Sequence, residues 1–113
     1  MEFSSFRIIK LADAQNAIPS KDGKLYAELF RHGSLAVEIY APKGTDLQQP
    51  HTRDELYVVA AGSGTFFVDG KRIPFVPGDA LFAAAGEVHR FENFTEGLLV
   101  WVMFYGPEGG ERA

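Results

Sequence analysis

Gln49, His51 and Glu55 stand just ahead of a strand-forming run, in QQPHTRDELYVVAAG (48–62). The three share parity, so an extended chain aims all three at one face. A buried face would be apolar at these positions, so the three groups need either water or a common partner. Their nitrogen and oxygen donors suit a divalent transition metal, which supplies that partner. One segment does not complete such a site. Of the two other histidines, His32 sits beside Gly33 and reads as an exposed turn residue. His89, in AAAGEVHRFEN (83–93), follows a turn at Gly86 and enters a strand; it is the candidate remote ligand.

The positioning elements are strands. Glycines recur mostly every eight to twelve residues, an all-β rhythm. Asp22-Gly23 and Asp69-Gly70 are hairpin-turn pairs, and apolar residues alternate between turns, with Leu35, Val37 and Ile39 on one side of a strand and Glu38 and Tyr40 on the other. The pattern predicts strands near 5–10, 25–31, 35–41, 49–52, 55–60, 64–68, 71–75, 79–83, 87–93 and 98–105. LADAQNAI (11–18) predicts one helical turn at most before Pro19, and the tail 106–113 is expected to fray. Gly62 and Gly64 bracket a tight turn around Ser63. GSG lacks the following helix that a phosphate loop requires. Asp79 reads as a turn cap, and Arg53 and Arg90 as solvent-facing.

With 113 residues the chain makes one domain, 1–113, and its 46% hydrophobic and 23% charged residues are those of a folded globular protein. A net charge of −4 opposes nucleic-acid binding, and the absence of cysteine excludes disulfides, thiolate ligands and a cysteine nucleophile. The longest uncharged apolar run, LLVWVMFY (98–105), is too short to span a membrane. With no signal-peptide core in MEFSSFRIIK, a cytoplasmic protein is expected.

QPHTRDELYVVAAG and GDALFAAAGEVHRFEN together resemble the two motifs of the cupin superfamily. The first motif, about 44–62, reads Gln49, His51, Glu55 and Gly62, with glutamine where the family has its first histidine. The second, about 78–93, reads Gly78, Ala84 in place of proline, Gly86, His89 and Asn93. The resemblance implies an all-β, single-domain jelly-roll β-barrel of six to ten strands. It also implies one divalent metal (Fe, Mn, Ni, Zn or Cu) held by His51, Glu55 and His89. Gln49 would bind directly, bind through water, or only hydrogen-bond a ligand. Two histidines and one carboxylate are also the set that supports non-haem iron with open positions.

Strand phase adds Tyr57 and Phe91 to the ligand face, and Trp101 is a pocket candidate. Trp101, Met103 and Tyr105 share one face of the last strand, and Val100, Val102 and Phe104 the other; the pattern does not say which looks inward. Three functions follow: a small metalloenzyme of dioxygenase, isomerase or lyase type acting on a compact polar molecule; a non-catalytic module binding a sugar or other small ligand; and, third, a structural or storage role. An N-terminal strand carrying Phe3, Phe6, Ile8 and Ile9 predicts a homodimer.

Overall fold

A computed structural model describes residues 7–46 and 48–112. Among these, one helix, α1 (Leu11–Asn16), precedes eight strands. They are β1 (Tyr26–His32), β2 (Leu35–Tyr40), β3 (Asp54–Ala61), β4 (Gly64–Val68), β5 (Lys71–Phe75), β6 (Ala80–Ala83), β7 (His89–Glu92) and β8 (Leu99–Tyr105). They form two antiparallel sheets, ordered β1-β2-β8-β3-β6 and β5-β4-β7. This is the jelly-roll architecture: two sheets packed face to face, with side chains alternating into the space between them.

Tyr57, Val59, Phe66, Phe75, Phe91, Val100 and Val102 fill that space. Phe91 sits at the centre, with Tyr57, Phe66 and Phe75 rings at centroid distances of 5.0, 5.4 and 5.6 Å. A second cluster forms on the outer face of the five-stranded sheet, where Ala14 of α1 packs on Leu29, Ile39 and Leu99. β2 is therefore covered on both sides. Ile39 faces α1, while Tyr40 packs against the inner core.

The turns follow their residues. Asp69 and Gly70 both take positive φ, 52° and 71°, and join β4 to β5 in the two-residue hairpin that such pairs favour. Gly62 has φ +88°, and an added Cβ would lie 2.7 Å from Leu98 Cα. Gly64 is needed for space alone: a Cβ there would lie 2.8 Å from Phe94 Cα. Asp79 caps its turn by accepting the Val76 N–H at 2.9 Å.

Several expected elements differ. Residues 49–52 form no strand: the chain bends at 52–53 and β3 begins at Asp54. Residues 7–10 are not a strand either, and the rest of the expected N-terminal strand, with Phe3 and Phe6, lies outside the described residues. α1 is longer than a single turn, at six residues. The tail is tied down rather than frayed. Gly106 N–H donates to Ser34 Oγ at 3.1 Å, Gly109 N–H to the Thr52 carbonyl at 2.7 Å, and Glu111 N–H to Asp54 Oδ2 at 2.7 Å. Arg53 turns from solvent toward this tail and donates from Nε to the Gly106 carbonyl at 3.1 Å. Arg90 is half-buried, its guanidinium 4.3 Å from the Phe67 ring centroid and its Nε bonded to Glu92.

Candidate metal centre

β3 alternates from its first turn, so Glu55, Tyr57 and Val59 point between the sheets and Leu56 and Val58 point out. β7 does the same with His89 and Phe91. His51 comes from the loop before β3. That loop is fixed to the second motif by the Gly86 N–H, which donates to the His51 carbonyl at 2.7 Å. Asp54 reinforces the join: Oδ1 accepts the Ala85 N–H at 2.9 Å while Oδ2 accepts from Glu111 in the tail. These backbone donors, Glu111 before Ala85, hold the Asp54 carboxyl below its usual range.

The result is a His–Glu–His cluster. Glu55 Oε1 lies 3.0 Å from His51 Nδ1 and 2.9 Å from His89 Nε2, and one donor atom from each residue lies within 4.8 Å of the others. Glu55 and His89 are buried; the His51 side chain keeps 35% of its surface exposed, edge-on to Phe104. His89 Nδ1 is 2.9 Å from the Glu87 carbonyl, which only accepts, so Nδ1 carries hydrogen and Nε2 is the ligand-type nitrogen.

Burial alone would push the Glu55 carboxyl up, but the hydrogen bonds and charge of His51 and His89 outweigh it and hold Glu55 low. Burial would push His89 down, yet Glu55 and the Glu87 carbonyl hold it high. The cluster is thus built to keep a positive charge beside a buried carboxylate. A proton or a divalent ion satisfies it, and the converging imidazole nitrogens and carboxylate fit the ion.

His51 and Glu55 line a cavity of about 740 Å³ together with Glu38, Gln49, Tyr57, Val102 and Phe104, and His89 lies buried against Glu55. Tyr57 is fully buried, and its hydroxyl donates to Gln48 Oε1 at 3.0 Å and lies 3.2 Å from His89 Nε2. Burial first, then the Glu55 charge, keeps this phenol protonated well above its ordinary range. Gln49 is exposed and makes no side-chain hydrogen bond among the described residues. Phe91 packs in the core behind Tyr57 and is not part of the cavity wall. Trp101 does not line this cavity: β8 turns Val102 and Phe104 inward, so Trp101 faces the outer cluster beneath α1.

Three contributors escape the motif pattern. Gln48, not its neighbour, reaches Tyr57, and Asp46 holds it by accepting its Nε2–H at 2.6 Å. Glu38 points into the cavity from β2; burial, then Glu28 and Glu55, raise its carboxyl. The available signal was parity: Glu38 and Tyr40 share one face of a strand whose other face, Val37 and Ile39, is the more apolar.

A family profile described as Cupin domain matches residues 36–105. The chain belongs to the cupin family. An uncharacterised protein from Streptomyces coelicolor is 33% identical over 106 residues, covering 92% of this chain and 97% of that one. Among solved structures, a predicted oxalate decarboxylase from Thermotoga maritima is 26% identical with a TM-score of 0.56, covering 71% of this cupin and 77% of that chain. A structure described under DMSP lyases is 25% identical with a TM-score of 0.64, covering 74% of this cupin and 47% of that chain.

Proposed function

We propose that this cupin is a small-molecule metalloenzyme, with one divalent transition metal held by His51, Glu55 and His89. The observation that carries the reading is the convergence of those donor atoms, within 4.8 Å of one another, beside a cavity that His51 and Glu55 line. When bound, the ion would polarise an oxygen ligand or activate water or dioxygen. The chain's own residues do the rest. Val102 and Phe104 exclude water from one side of the cavity. Glu38 presents to the cavity a carboxyl whose proton affinity is raised by burial, then by Glu28 and Glu55, and Gln49 offers amide hydrogen bonds to a compact polar substrate. Dioxygenase, isomerase and lyase chemistry all fit this arrangement. The lyase and predicted decarboxylase among the structural relatives favour bond cleavage.

Metal content tests the reading. Protein purified without added metal or chelator is compared by plasma mass spectrometry with the His51→Ala/His89→Ala double variant. Near-stoichiometric iron, manganese, nickel, zinc or copper in the first and none in the second is expected. Equal metal in both overturns the assignment.

A second reading, a non-catalytic ligand-binding cupin, draws support from Gln49, which stands exposed where the family has a histidine. A ligand-induced rise in Tm that survives a chelator favours it.

The same proposal includes a homodimer. Register places Phe30, Val37, Met103, Leu56 and Phe82 in one row across all five strands of the larger sheet, on its outward face. Phe82 is 48% exposed, and Ile8 near the N-terminus 69%. Light scattering that shows only monomer refutes this part.

A further inference from the structure

We propose that Glu38 is the acidic hydrogen-bond donor of this cavity, and that the ligand it serves is a compact oxyanion of the hydroxycarboxylate type, taken up together with one proton. The inference rests on the metal reading above and adds to it the charge class of the ligand and the residue that reads it.

The placement follows from strand register. Glu38 stands opposite Val102 on β8, and Val102 stands opposite Tyr57 on β3, so Glu38 shares the inward face that carries Glu55. It lines the same cavity as His51 and Glu55. It is half-buried, and its carboxyl has no hydrogen-bond or ion-pair partner among the described residues. On its other side, β1 sets Glu28 directly opposite it. Like charges facing each other across two strands destabilise a sheet, and a half-buried carboxylate without a partner adds a desolvation cost. Arg31 does not relieve either, because it is paired with Glu28. A proton on Glu38 removes both costs at once.

The surrounding charges agree. Burial first, then Glu28 and Glu55, raise the proton affinity of Glu38, and His51 and Arg31 oppose them less. Lys24, before β1, and Lys43, after β2, also line the cavity. A carboxylic acid, two ammonium groups and a metal with open positions are all partners for a group that accepts or carries negative charge. An oxyanion meets that description, whereas an amine would need Glu38 ionised. The bound anion raises the proton affinity of Glu38 further, so anion and proton bind cooperatively. Glu38 keeps its proton below its raised value. Anion affinity is therefore full at low pH and falls as pH rises, by up to about ten-fold per unit once Glu38 ionises.

Cobalt(II)-loaded protein and glycolate, a compact hydroxycarboxylate that stays ionised above about pH 5, are the probes. The visible cobalt spectrum reads affinity from about pH 5 to pH 8, and calorimetry in two buffers of different protonation enthalpy counts the protons taken up. Metal-bound water lends a pH dependence of its own, so the reading is the difference between wild type and Glu38→Gln, whose amide donates at every pH. Wild type is expected to take up more protons per glycolate than Glu38→Gln. Near pH 8 the variant should bind glycolate roughly ten-fold or more tightly than wild type, with its cobalt content unchanged. Glu28→Gln, at a position outside the cavity wall, should move the wild-type fall in affinity to lower pH. Far-ultraviolet dichroism of the metal-free variants reports folding; should Glu38→Gln misfold, Glu28→Gln carries the test, and an unmoved profile overturns the inference. Equal pH profiles in wild type and Glu38→Gln overturn it while the metal reading stands. Cobalt-loaded wild type that binds no glycolate across the range also overturns it. So does preferential binding of ethanolamine that Glu38→Gln abolishes, which makes Glu38 a charged acceptor. A protein that takes up no cobalt defeats both readings.

Discussion

His89→Ala and His51→Ala should abolish metal binding equally while destabilising the metal-free protein very unequally. Both imidazoles are ligands in the proposed site, so each loss removes one donor. Their apo-state environments differ. His89 and Glu55 side chains are 1% and 2% exposed with Nε2 and Oε1 2.9 Å apart, so removing His89 leaves a buried carboxylate short of its best partner. Breaking a buried pair costs about 3–5 kcal/mol. Glu55 keeps His51 at 3.0 Å and can take up a proton, which places the cost near the lower end, about 3 kcal/mol. The His51 side chain is 35% exposed, so solvent screens its pair with Glu55 and its loss costs about 1 kcal/mol or less. For a chain of this size about 3 kcal/mol corresponds to a Tm fall of roughly 10–15 °C, against a few degrees for His51→Ala. Differential scanning calorimetry in chelator reads the stabilities, and chelator competition reads the affinities. Equal Tm losses would refute the burial argument. Full metal affinity in His51→Ala would refute its role as a ligand.

The metal-free protein should be most stable in a mildly acidic window. Glu55 is held below 4.5, so its contribution is present above that pH and is lost as pH falls through its lowered value. His89 is held above 6.5, so its contribution is present below that pH and is lost as pH rises through its raised value. Thermal melts in chelator should therefore peak between about 4.5 and 6.5, and His89→Ala should flatten the alkaline side; a monotonic rise to pH 8 would contradict this. Asp54→Ala removes the acceptor that joins the second-motif turn and the tail to the ligand loop, and should weaken metal binding about ten-fold with all three ligands in place. Unaltered affinity by chelator competition would show that the loop holds without it. Gly62→Ala forces a side chain into positive φ, 2.7 Å from Leu98 Cα, and should cost at least about 2 kcal/mol by denaturant unfolding; a neutral result would mean that the β3–β4 turn relaxes freely.

Most of the architecture was legible because strand parity and turn residues are local. Asp69-Gly70, Gly62 and the alternation Glu55, Tyr57, Val59 each declare their geometry within a few positions. The pairing of the two motifs was also legible, since spacing carries it. What parity cannot reveal is which face of a strand looks inward when both are apolar. β8 shows this: Trp101 and Met103 match Val100 and Val102 in hydrophobicity, and only the position of α1 decides that Trp101 lies under the helix. β2 shows the converse. Its more apolar side, Val37 and Ile39, faces outward, and the side bearing Glu38 lines the cavity. The tail was expected to fray because GPEGGERA has no periodicity, yet its attachments are backbone N–H groups meeting Thr52 and Asp54. Such contacts leave no side-chain signature.

The bend at 52–53 also explains why equal parity misled at Gln49. Parity relates side chains only along one unbroken strand. Glu55 and Tyr57 lie on β3 and obey it. His51 lies before the bend and reaches Glu55 because its carbonyl is tied to Gly86, not because it is four residues away. Gln48 and Gln49 lie further back, where the chain's direction is set by Asp46 instead. Asp46 binds the Gln48 backbone N–H at 3.3 Å and its side chain at 2.6 Å, which draws Gln48 inward and leaves Gln49 to the rim. Replacing Gln49 with histidine would therefore restore the family motif in sequence without placing an imidazole in the cluster. Its expected effect on metal affinity is small while Asp46 and Gln48 remain. A large gain in affinity for Gln49→His would mean that the loop re-registers on metal binding, and that the Asp46 clamp is weaker than its buried hydrogen bonds imply.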